Sequence, residues 1–187
     1  MKRTFLVSLN RGCLCALSAL ACASVTAFAE DNGAWTSWRG PKDFGSIESG
    51  NYPSDLGKDQ LRWSAPLPGK GCSTPIHLNG SIYLTAPKEG KDAVVSLDAM
   101  GKERWTTVFE QEDAGKHRNG SGCNASPVTD GRSLYVYFKS GTFAALGLDG
   151  KVLWQTNLVK SYGKDTLFWD HGTSPVLTAK QIGRAHV

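Results

Sequence analysis

A unit of four short strand signals occurs more than once along this chain. One copy covers residues 73–105 and the next covers residues 125–154; each begins with Ser-Pro or Thr-Pro and closes with Gly-Lys-x-x-Trp. A third copy begins at residues 173–176. The closing tryptophans recur at spacings of 42 and 49 residues: Trp63, Trp105 and Trp154. A period in the forties with four strands predicts one blade of a β-propeller.

The repeat therefore predicts an all-β propeller, with about two full and two partial four-stranded blades between residues 60 and 180. A blade cannot bury both faces alone and must stack on neighbours, so ring closure requires further blades beyond these. Each closing tryptophan is expected to lie across the gap to the next blade, where its indole N–H finds a carbonyl. Its recurrence in every blade favours this docking role over ligand stacking.

Residues 1–29 read as a secretory signal. A basic start precedes the apolar residues 13–23, and Ala27-Phe28-Ala29 offers a cleavage site near Ala29. Alternatively Cys22, in the sequence Ala-Leu-Ala-Cys, is an acylated first residue and gives a lipid anchor. Beyond Glu30 no segment holds the roughly 20 apolar residues of a transmembrane helix. Both alternatives predict a periplasmic or secreted protein.

The two ends of the repeat region have separate interpretations. Residues 30–59 are a lead-in segment to the first blade. Residues 181–187 match one reading frame of a common sequencing adapter and interrupt a blade that has just begun, so they are excluded from the predicted fold. His186 is therefore not offered as a ligand.

The charge of the chain argues against a nucleic-acid partner. The chain has 21 Lys and Arg and 17 Asp and Glu residues, and the predicted signal removes three basic and no acidic ones. The remaining 18 basic and 17 acidic side chains leave no cluster that could neutralise phosphates. The chain also has no phosphate-binding glycine loop before a helix, no nucleophile elbow and no paired-cysteine zinc spacing, so no metal site is predicted.

The closing segments of the blades resemble those of propellers with pyrroloquinoline-quinone-type repeats. That family carries a tryptophan-docking pattern close to Ala-x-Asp-x-x-x-Gly-Lys-x-x-Trp. Residues 97–105 fit it with Asp98 and one residue fewer before the glycine, and residues 145–154 fit it with Gly147 in place of the aspartate. The opening residues 35–41 are similar to the start of secreted bacterial members.

The resemblance implies a fold and leaves two functions open. The preferred one is a non-catalytic binding or assembly scaffold with a protein or glycan partner, as in a periplasmic relative that helps assemble outer-membrane barrel proteins. The alternative is the N-terminal part of a quinoprotein alcohol or sugar dehydrogenase, with pyrroloquinoline quinone and Ca²⁺ as cofactors. The vicinal cysteine pair of the alcohol enzymes is absent after residue 29. No cofactor is otherwise evident, and a secreted polysaccharide-associated module is a third interpretation.

Cys72 and Cys123 are the cysteines that remain after the predicted signal, and they stand at equivalent places in adjacent blades. In an oxidising compartment an even number of cysteines favours a disulfide. Equivalent strands of adjacent blades are expected to lie too far apart for the Cα separation of roughly 4.4–6.8 Å that a disulfide needs. The alternatives are therefore a disulfide and two buried thiols.

Two loops ahead of blade-opening strands carry the candidate site residues. Asp170 and His171 are candidates for a general base or metal ligand; the alternative is a histidine that caps a blade turn. His117, Arg118 and Asn119 occupy the matching place one blade earlier. If both loops face the same funnel, they form a ligand surface together with Trp169. Three further aspartates are predicted to bond their own backbone in turns: Asp92, Asp98 and Asp149.

Overall fold

The computed structural model describes residues 33–47, 50, 53–111, 114–164 and 166–184. The predicted signal peptide 1–29, with Cys22 and its cleavage site, lies outside these residues, as does His186. Within the described part, no helix is long and apolar enough to cross a membrane.

Two four-stranded antiparallel sheets follow one another along the chain. The first contains β1 (Ile76–Leu78), β2 (Ser81–Thr85), β3 (Ala93–Asp98) and β4 (Glu103–Val108), paired in that order. The second contains β5 (Val128–Thr129), β6 (Ser133–Tyr137), β7 (Thr142–Gly147) and β8 (Val152–Asn157), also paired in order. These two sheets confirm the predicted all-β fold of four-stranded propeller blades, and we call them blade 1 and blade 2.

Turn chemistry in the sequence sets the strand order within each blade. Asn79 and Gly80 join β1 to β2 with φ of 50° and 71°, the left-handed backbone that a two-residue hairpin turn requires. β3 is buried along its length except at Asp98, whereas β8 is exposed at every residue but its last. The outermost strand of blade 2 therefore faces solvent, and one apolar core spans both blades. Its largest fully buried side chains are Ile76, Val94, Leu134, Val136, Phe138 and Leu146.

Shorter elements flank the two blades. A 3-10 turn, Lys58–Gln60, precedes blade 1, and a short helix, α1 (Leu158–Tyr162), follows β8. The repeat also predicts a closing strand at residues 60–63, ending at Trp63, but the described chain has no strand there and Gln60 belongs to the 3-10 turn. In the lead-in segment, Trp35 pairs with His77 of β1, and the carbonyl of Thr36 accepts the N–H of Thr129.

The chain continues after blade 2 into a hairpin. β9 (Pro175–Leu177) pairs antiparallel with β10 (Ile182–Arg184), and the Thr178 N–H donates to the Gln181 carbonyl across the turn. The sequence prediction excluded residues 181–187 from the fold, whereas the structure pairs 182–184 of them with the opening strand of the next unit.

Two tryptophans dock on glycine turns. The Trp63 indole N–H donates to the Ala99 carbonyl at 2.9 Å, and the Trp105 indole N–H donates to the Leu148 carbonyl at 3.1 Å. Beneath the Trp105 ring lies Gly150, at a φ of 86°, where a Cβ would come within 2.7 Å of the ring. The turn must therefore carry glycine for the indole to approach, and Trp105 bridges blade 1 to blade 2.

A ladder of hydroxyl groups also runs from unit to unit. The Thr74 N–H donates to Ser126 Oγ at 2.8 Å, and the Ser126 N–H donates to Ser174 Oγ at 3.0 Å. All three residues directly precede the proline that opens their unit. The repeated Ser-Pro or Thr-Pro pair therefore supplies the same inter-blade hydrogen bond at each step.

Replacing Ser126 with alanine should lower the free energy of unfolding by about 1–3 kcal/mol, because it leaves the Thr74 N–H without its acceptor at a buried junction. Urea denaturation followed by circular dichroism measures the change. The matched control is Ser126→Thr, which keeps the hydroxyl that Thr74 carries at the equivalent place. If the alanine and threonine variants are equally stable, the hydroxyl does not link the blades.

Candidate functional site

Two loops between units meet at one end of the blades. The ring of His117, from the loop before β5, contacts the ring of Trp169, from the loop before β9, edge to face at 6.0 Å. Phe168 packs edge to face on Trp169 at 4.8 Å, and Lys116 Nζ donates to the Leu167 carbonyl at 2.7 Å. The structure thus brings together the two loops in which the sequence prediction placed its ligand surface.

The rings at this junction are open to solvent. Phe168 is 80% exposed and Trp169 is 64% exposed, and His117 and Arg118 are exposed beside them. Lys70, from the segment before β1, reaches the same place and bonds the Arg118 carbonyl through Nζ. We call the set the aromatic–basic surface: Lys70, Lys116, His117, Arg118, Phe168 and Trp169.

Asp170 lies beneath this surface and anchors the first loop. Its carboxylate accepts the Lys116 N–H at 2.8 and 2.9 Å and the His117 N–H at 3.2 Å. It also forms an ion pair with Lys139 Nζ at 3.1 Å, and the two side chains are only 4% and 7% exposed. Gly120 leaves room for the carboxylate, because a Cβ there would lie 2.3 Å from Asp170 Oδ2.

These contacts decide the protonation state of Asp170. Burial by itself raises the pKa of this carboxyl, but the N–H of Lys116, the ammonium of Lys139 and the N–H of His117 together lower the pKa below its usual value. The carboxylate is therefore ionised, enclosed and occupied by its donors. A general base needs a free lone pair near the substrate and a pKa closer to neutrality, so the geometry favours an anchoring role over the catalytic one.

His171 is placed inside the fold rather than at the surface. Its side chain is buried, and its ring stacks on Tyr137 at 5.2 Å with an interplanar angle of 17°. Adjacent residues in an extended segment point to opposite sides, and Asp170 meets the loop of Lys116 while His171 meets Tyr137 of β6. Among the described residues, no group of three or more His, Cys, Asp or Glu side chains is placed to hold a metal ion.

Asn119 takes part in this site through its backbone. Its N–H donates to His117 Nδ1 at 3.2 Å, and its carbonyl accepts the Cys72 thiol at 3.1 Å. The first bond lies within the loop, and the second holds the loop against the segment that precedes blade 1. Phe168, Lys70, Lys116 and Lys139 were not among the predicted site residues. A Phe-Trp pair in a polar loop was a usable signal for Phe168, but nothing in the sequence links Lys139 to Asp170.

The structure contains the two cysteines as free thiols, with Cys72 exposed and Cys123 buried. The distance argument against a disulfide was wrong, because the Cys72 N–H donates to the Cys123 carbonyl at 3.2 Å. The side chains instead face different neighbours: the Cys72 thiol bonds the Asn119 carbonyl, and the Cys123 thiol faces Asp92. The expectation that both thiols are buried is also wrong, because Cys72 is exposed.

Iodoacetamide at pH 8 should therefore alkylate Cys72 of the folded chain quickly and leave Cys123 unmodified. Burial, with a further contribution from Asp92, raises the pKa of the Cys123 thiol to about 12, and only the thiolate reacts. In urea both residues should react. Peptide mass mapping measures each site, and a linked pair of peptides containing both cysteines would contradict the structure.

The aspartates predicted to cap turns divide into two kinds. Asp98 Oδ1 accepts the N–H groups of Met100 and Lys102, which lowers its pKa, and Asp149 Oδ1 accepts the Lys151 N–H. Asp92 is different because it is 2% exposed and accepts the Ser140 hydroxyl at 2.5 Å from the other blade. Its local sequence looks like a turn, and its partner lies 48 residues away.

Comparisons with known proteins give a family model and a solved structure that are similar to this chain. The family model described as "Outer membrane protein assembly factor BamB" matches residues 55–181. Among solved structures, the crystal structure of BamB from Moraxella catarrhalis matches with a TM-score of 0.43 and 12% sequence identity. That match covers 66% of this chain and 31% of that chain, so this chain spans less than a third of its length. A search among curated proteins found no match.

Proposed function

This chain belongs to the family of the outer membrane protein assembly factor BamB, and on that basis we propose that it is a non-catalytic scaffold that binds a protein during outer membrane protein assembly. The observation that carries the proposal is the aromatic–basic surface. Aromatic and arginine side chains are enriched where proteins bind one another. Here they stand exposed on two loops that a buried network fixes in place.

The same network argues for binding rather than catalysis at this place. Asp170 and His171, the two residues predicted as candidates for acid–base chemistry, are turned into the fold. Asp170 is ionised and occupied, and His171 is stacked on Tyr137. What reaches solvent is a pair of aromatic rings, the imidazole of His117 and several cations. Such groups bind a partner through apolar contact and charge and need no reacting atom.

The location of the scaffold follows from the proposed function. We assign residues 1–29 as a signal that takes the chain out of the cytoplasm, with cleavage near Ala29 or acylation at Cys22. Residues 30–59 form the lead-in, and residues 60–180 form the blades. Mass spectrometry of the chain expressed in a bacterium with an outer membrane tests this assignment. An unprocessed N-terminus in the cytoplasmic fraction would contradict it.

The direct test of function is binding to an outer-membrane β-barrel protein. The chain is immobilised, and an unfolded β-barrel protein is passed over it in urea too dilute to unfold the chain. We expect saturable binding that weakens at least about tenfold when Phe168 and Trp169 are both replaced by alanine. The matched control is Trp38→Ala, because Trp38 is also exposed, at 59%, but lies in the lead-in.

The dehydrogenase alternative has a separate test. The chain is titrated with pyrroloquinoline quinone and Ca²⁺, and dye reduction is followed with simple alcohols and sugars. We expect no saturable turnover. Turnover above that of the free cofactor would replace the scaffold function with an oxidoreductase function, whatever the result of the binding experiment.

A further inference from the structure

We propose that the aromatic–basic surface docks an acidic protein segment, with an apolar side chain against Phe168 and Trp169 and carboxylates against Lys70, Lys116 and Arg118. This inference rests on the proposed function and deepens it, because it specifies the chemistry of the partner. Three separate observations support it: exposed aromatic rings, cations that form no ion pair with a described carboxylate, and a rigid base.

The aromatic rings supply the apolar anchor. Phe168 and Trp169 are 80% and 64% exposed and touch each other, so they form one patch rather than scattered apolar residues. Large side chains exposed together mark an interaction site more often than single exposed ones do. Because Trp169 is already held edge to face between Phe168 and His117, its ring loses little freedom when a partner binds.

The cations around the rings determine the sign of the partner's charge. Lys70 and Lys116 each bond a backbone carbonyl through Nζ, but an ammonium has three N–H donors and a carbonyl does not neutralise it. None of the carboxylates that the structure describes forms an ion pair with Lys70, Lys116 or Arg118. Asp170 below them is neutralised by Lys139. Carboxylates of a partner would therefore complement this surface.

The base of the surface is preformed. Asp170 fixes the backbone of Lys116 and His117, Gly120 allows the close approach, and Lys139 also donates to the Ala114 carbonyl. A loop tied at several points to a buried ion pair does not need to be ordered by its partner. Such preorganisation raises affinity by reducing the entropy lost on binding.

The geometry favours a protein over a membrane or a glycan. Membrane recognition by charge typically uses clusters of about 4–8 basic residues, and this surface has three. Sugars and bases stack on flat open ring faces, whereas these rings meet at interplanar angles of 86° and 74°. A side chain that inserts beside two tilted rings, with flanking carboxylates, fits this arrangement better.

The test uses fluorescence anisotropy with the full chain and a labelled synthetic peptide in which glutamates flank a Leu-Phe pair. The same peptide with glutamines in place of the glutamates is the matched probe. Phosphatidylglycerol vesicles and dextran sulfate stand for an anionic membrane and an acidic glycan. We expect the glutamate peptide to bind about tenfold more tightly than the glutamine peptide, with a difference that shrinks as salt is added.

Variants locate the binding on the chain. Trp169→Ala should weaken the glutamate peptide about tenfold, and Arg118→Gln should weaken it several-fold while leaving the glutamine peptide unchanged. The controls are Trp38→Ala and Arg132→Gln, which remove an exposed tryptophan and an exposed arginine elsewhere. Glu112 and Asp113, acidic neighbours in sequence, are neutralised together in a further variant, which should bind the glutamate peptide at least as tightly.

The outcomes separate this inference from the proposed function. Equal affinity for the two peptides, or equal losses in Trp169→Ala and Trp38→Ala, overturns the acidic docking surface. Tighter binding to vesicles or dextran sulfate than to the peptide also overturns it, in favour of a membrane or glycan. If the unfolded β-barrel protein still binds, the scaffold function stands without this surface chemistry; if neither probe binds, both proposals fail.

Discussion

Replacing Asp170 with asparagine should lower the free energy of unfolding by about 3–5 kcal/mol, because it removes one charge of a buried ion pair. The other charge is Lys139, whose side chain is 7% exposed. The asparagine side chain keeps one oxygen for the N–H groups of Lys116 and His117, so most of the loss reports the ion pair. Urea denaturation followed by near-ultraviolet circular dichroism measures it.

The double variant Asp170→Asn/Lys139→Met is the control. It removes both charges and fills the space of the lysine stem with an apolar chain, so it should recover a large part of the lost stability. Limited proteolysis should cut residues 114–120 faster in the single variant, where the anchor of this loop is weakened. A loss below about 1 kcal/mol for Asp170→Asn would show that the pair does not hold the loops.

The difference in free energy of unfolding between the native chain and Asp170→Asn should depend on pH with a defined sign. The folded-state pKa of Asp170 lies below its unfolded value of about 3.9. A group with a lowered folded pKa contributes stability that is fully present above the unfolded pKa and is lost as the pH falls through the folded pKa. The stability gap between the native chain and Asp170→Asn should therefore be constant from about pH 5 to 7 and should close in acid.

The repeat predicted the blades, because the period of the chain and the turn residues are local signals. Asn79-Gly80 specifies a hairpin by backbone conformation alone, and glycine before each closing tryptophan leaves room for an indole. The Ser-Pro and Thr-Pro pairs were read as strand starts, although their hydroxyls also link the units. A repeated motif becomes visible when its copies are aligned, so the blades could be predicted from the sequence.

The site was only partly predictable because its contacts do not repeat. Asp170 and Lys139 lie 31 residues apart, in a loop and a tight turn, and neither position looks unusual in the sequence. The direction of a side chain could not be predicted from the sequence either. Cys72 and Cys123 are hydrogen-bonded through their backbones, but their thiols face different residues. Such pairs depend on how two blades stack, and spacing along the chain does not fix that.

Repeated and unrepeated residues therefore have different roles in this chain. The tryptophans, the turn glycines and the hydroxyls before the prolines recur because every blade must join its neighbour in the same way. The loop with Phe168, Trp169 and Asp170 has no matching sequence one unit earlier, where His117 and Arg118 stand instead. Because the repeated residues form the blades and join them, the residues that differ between repeats can form a specific binding surface without loss of the fold.

Replacing Trp105 with alanine should lower the free energy of unfolding by about 3 kcal/mol, since truncation of a packed tryptophan removes its ring contacts and leaves a cavity. The indole packs on Tyr83 and on the turn of Gly150, and its N–H bond to the Leu148 carbonyl is lost as well. Urea denaturation measures the change. Trp38→Ala, at an exposed position, should stay within about 0.5 kcal/mol of the native chain.

The partner of this tryptophan allows a sharper test. Gly150→Ala should also be destabilising, because its Cβ would lie 2.7 Å from the Trp105 ring and its φ of 86° disfavours alanine. In a chain that already carries Trp105→Ala, the clash is absent and only the backbone strain remains. The double variant should therefore lose at least about 1 kcal/mol less free energy of unfolding than the two single variants lose in sum. Additive costs would mean that the indole and the turn do not meet, and that another contact holds blade 1 to blade 2.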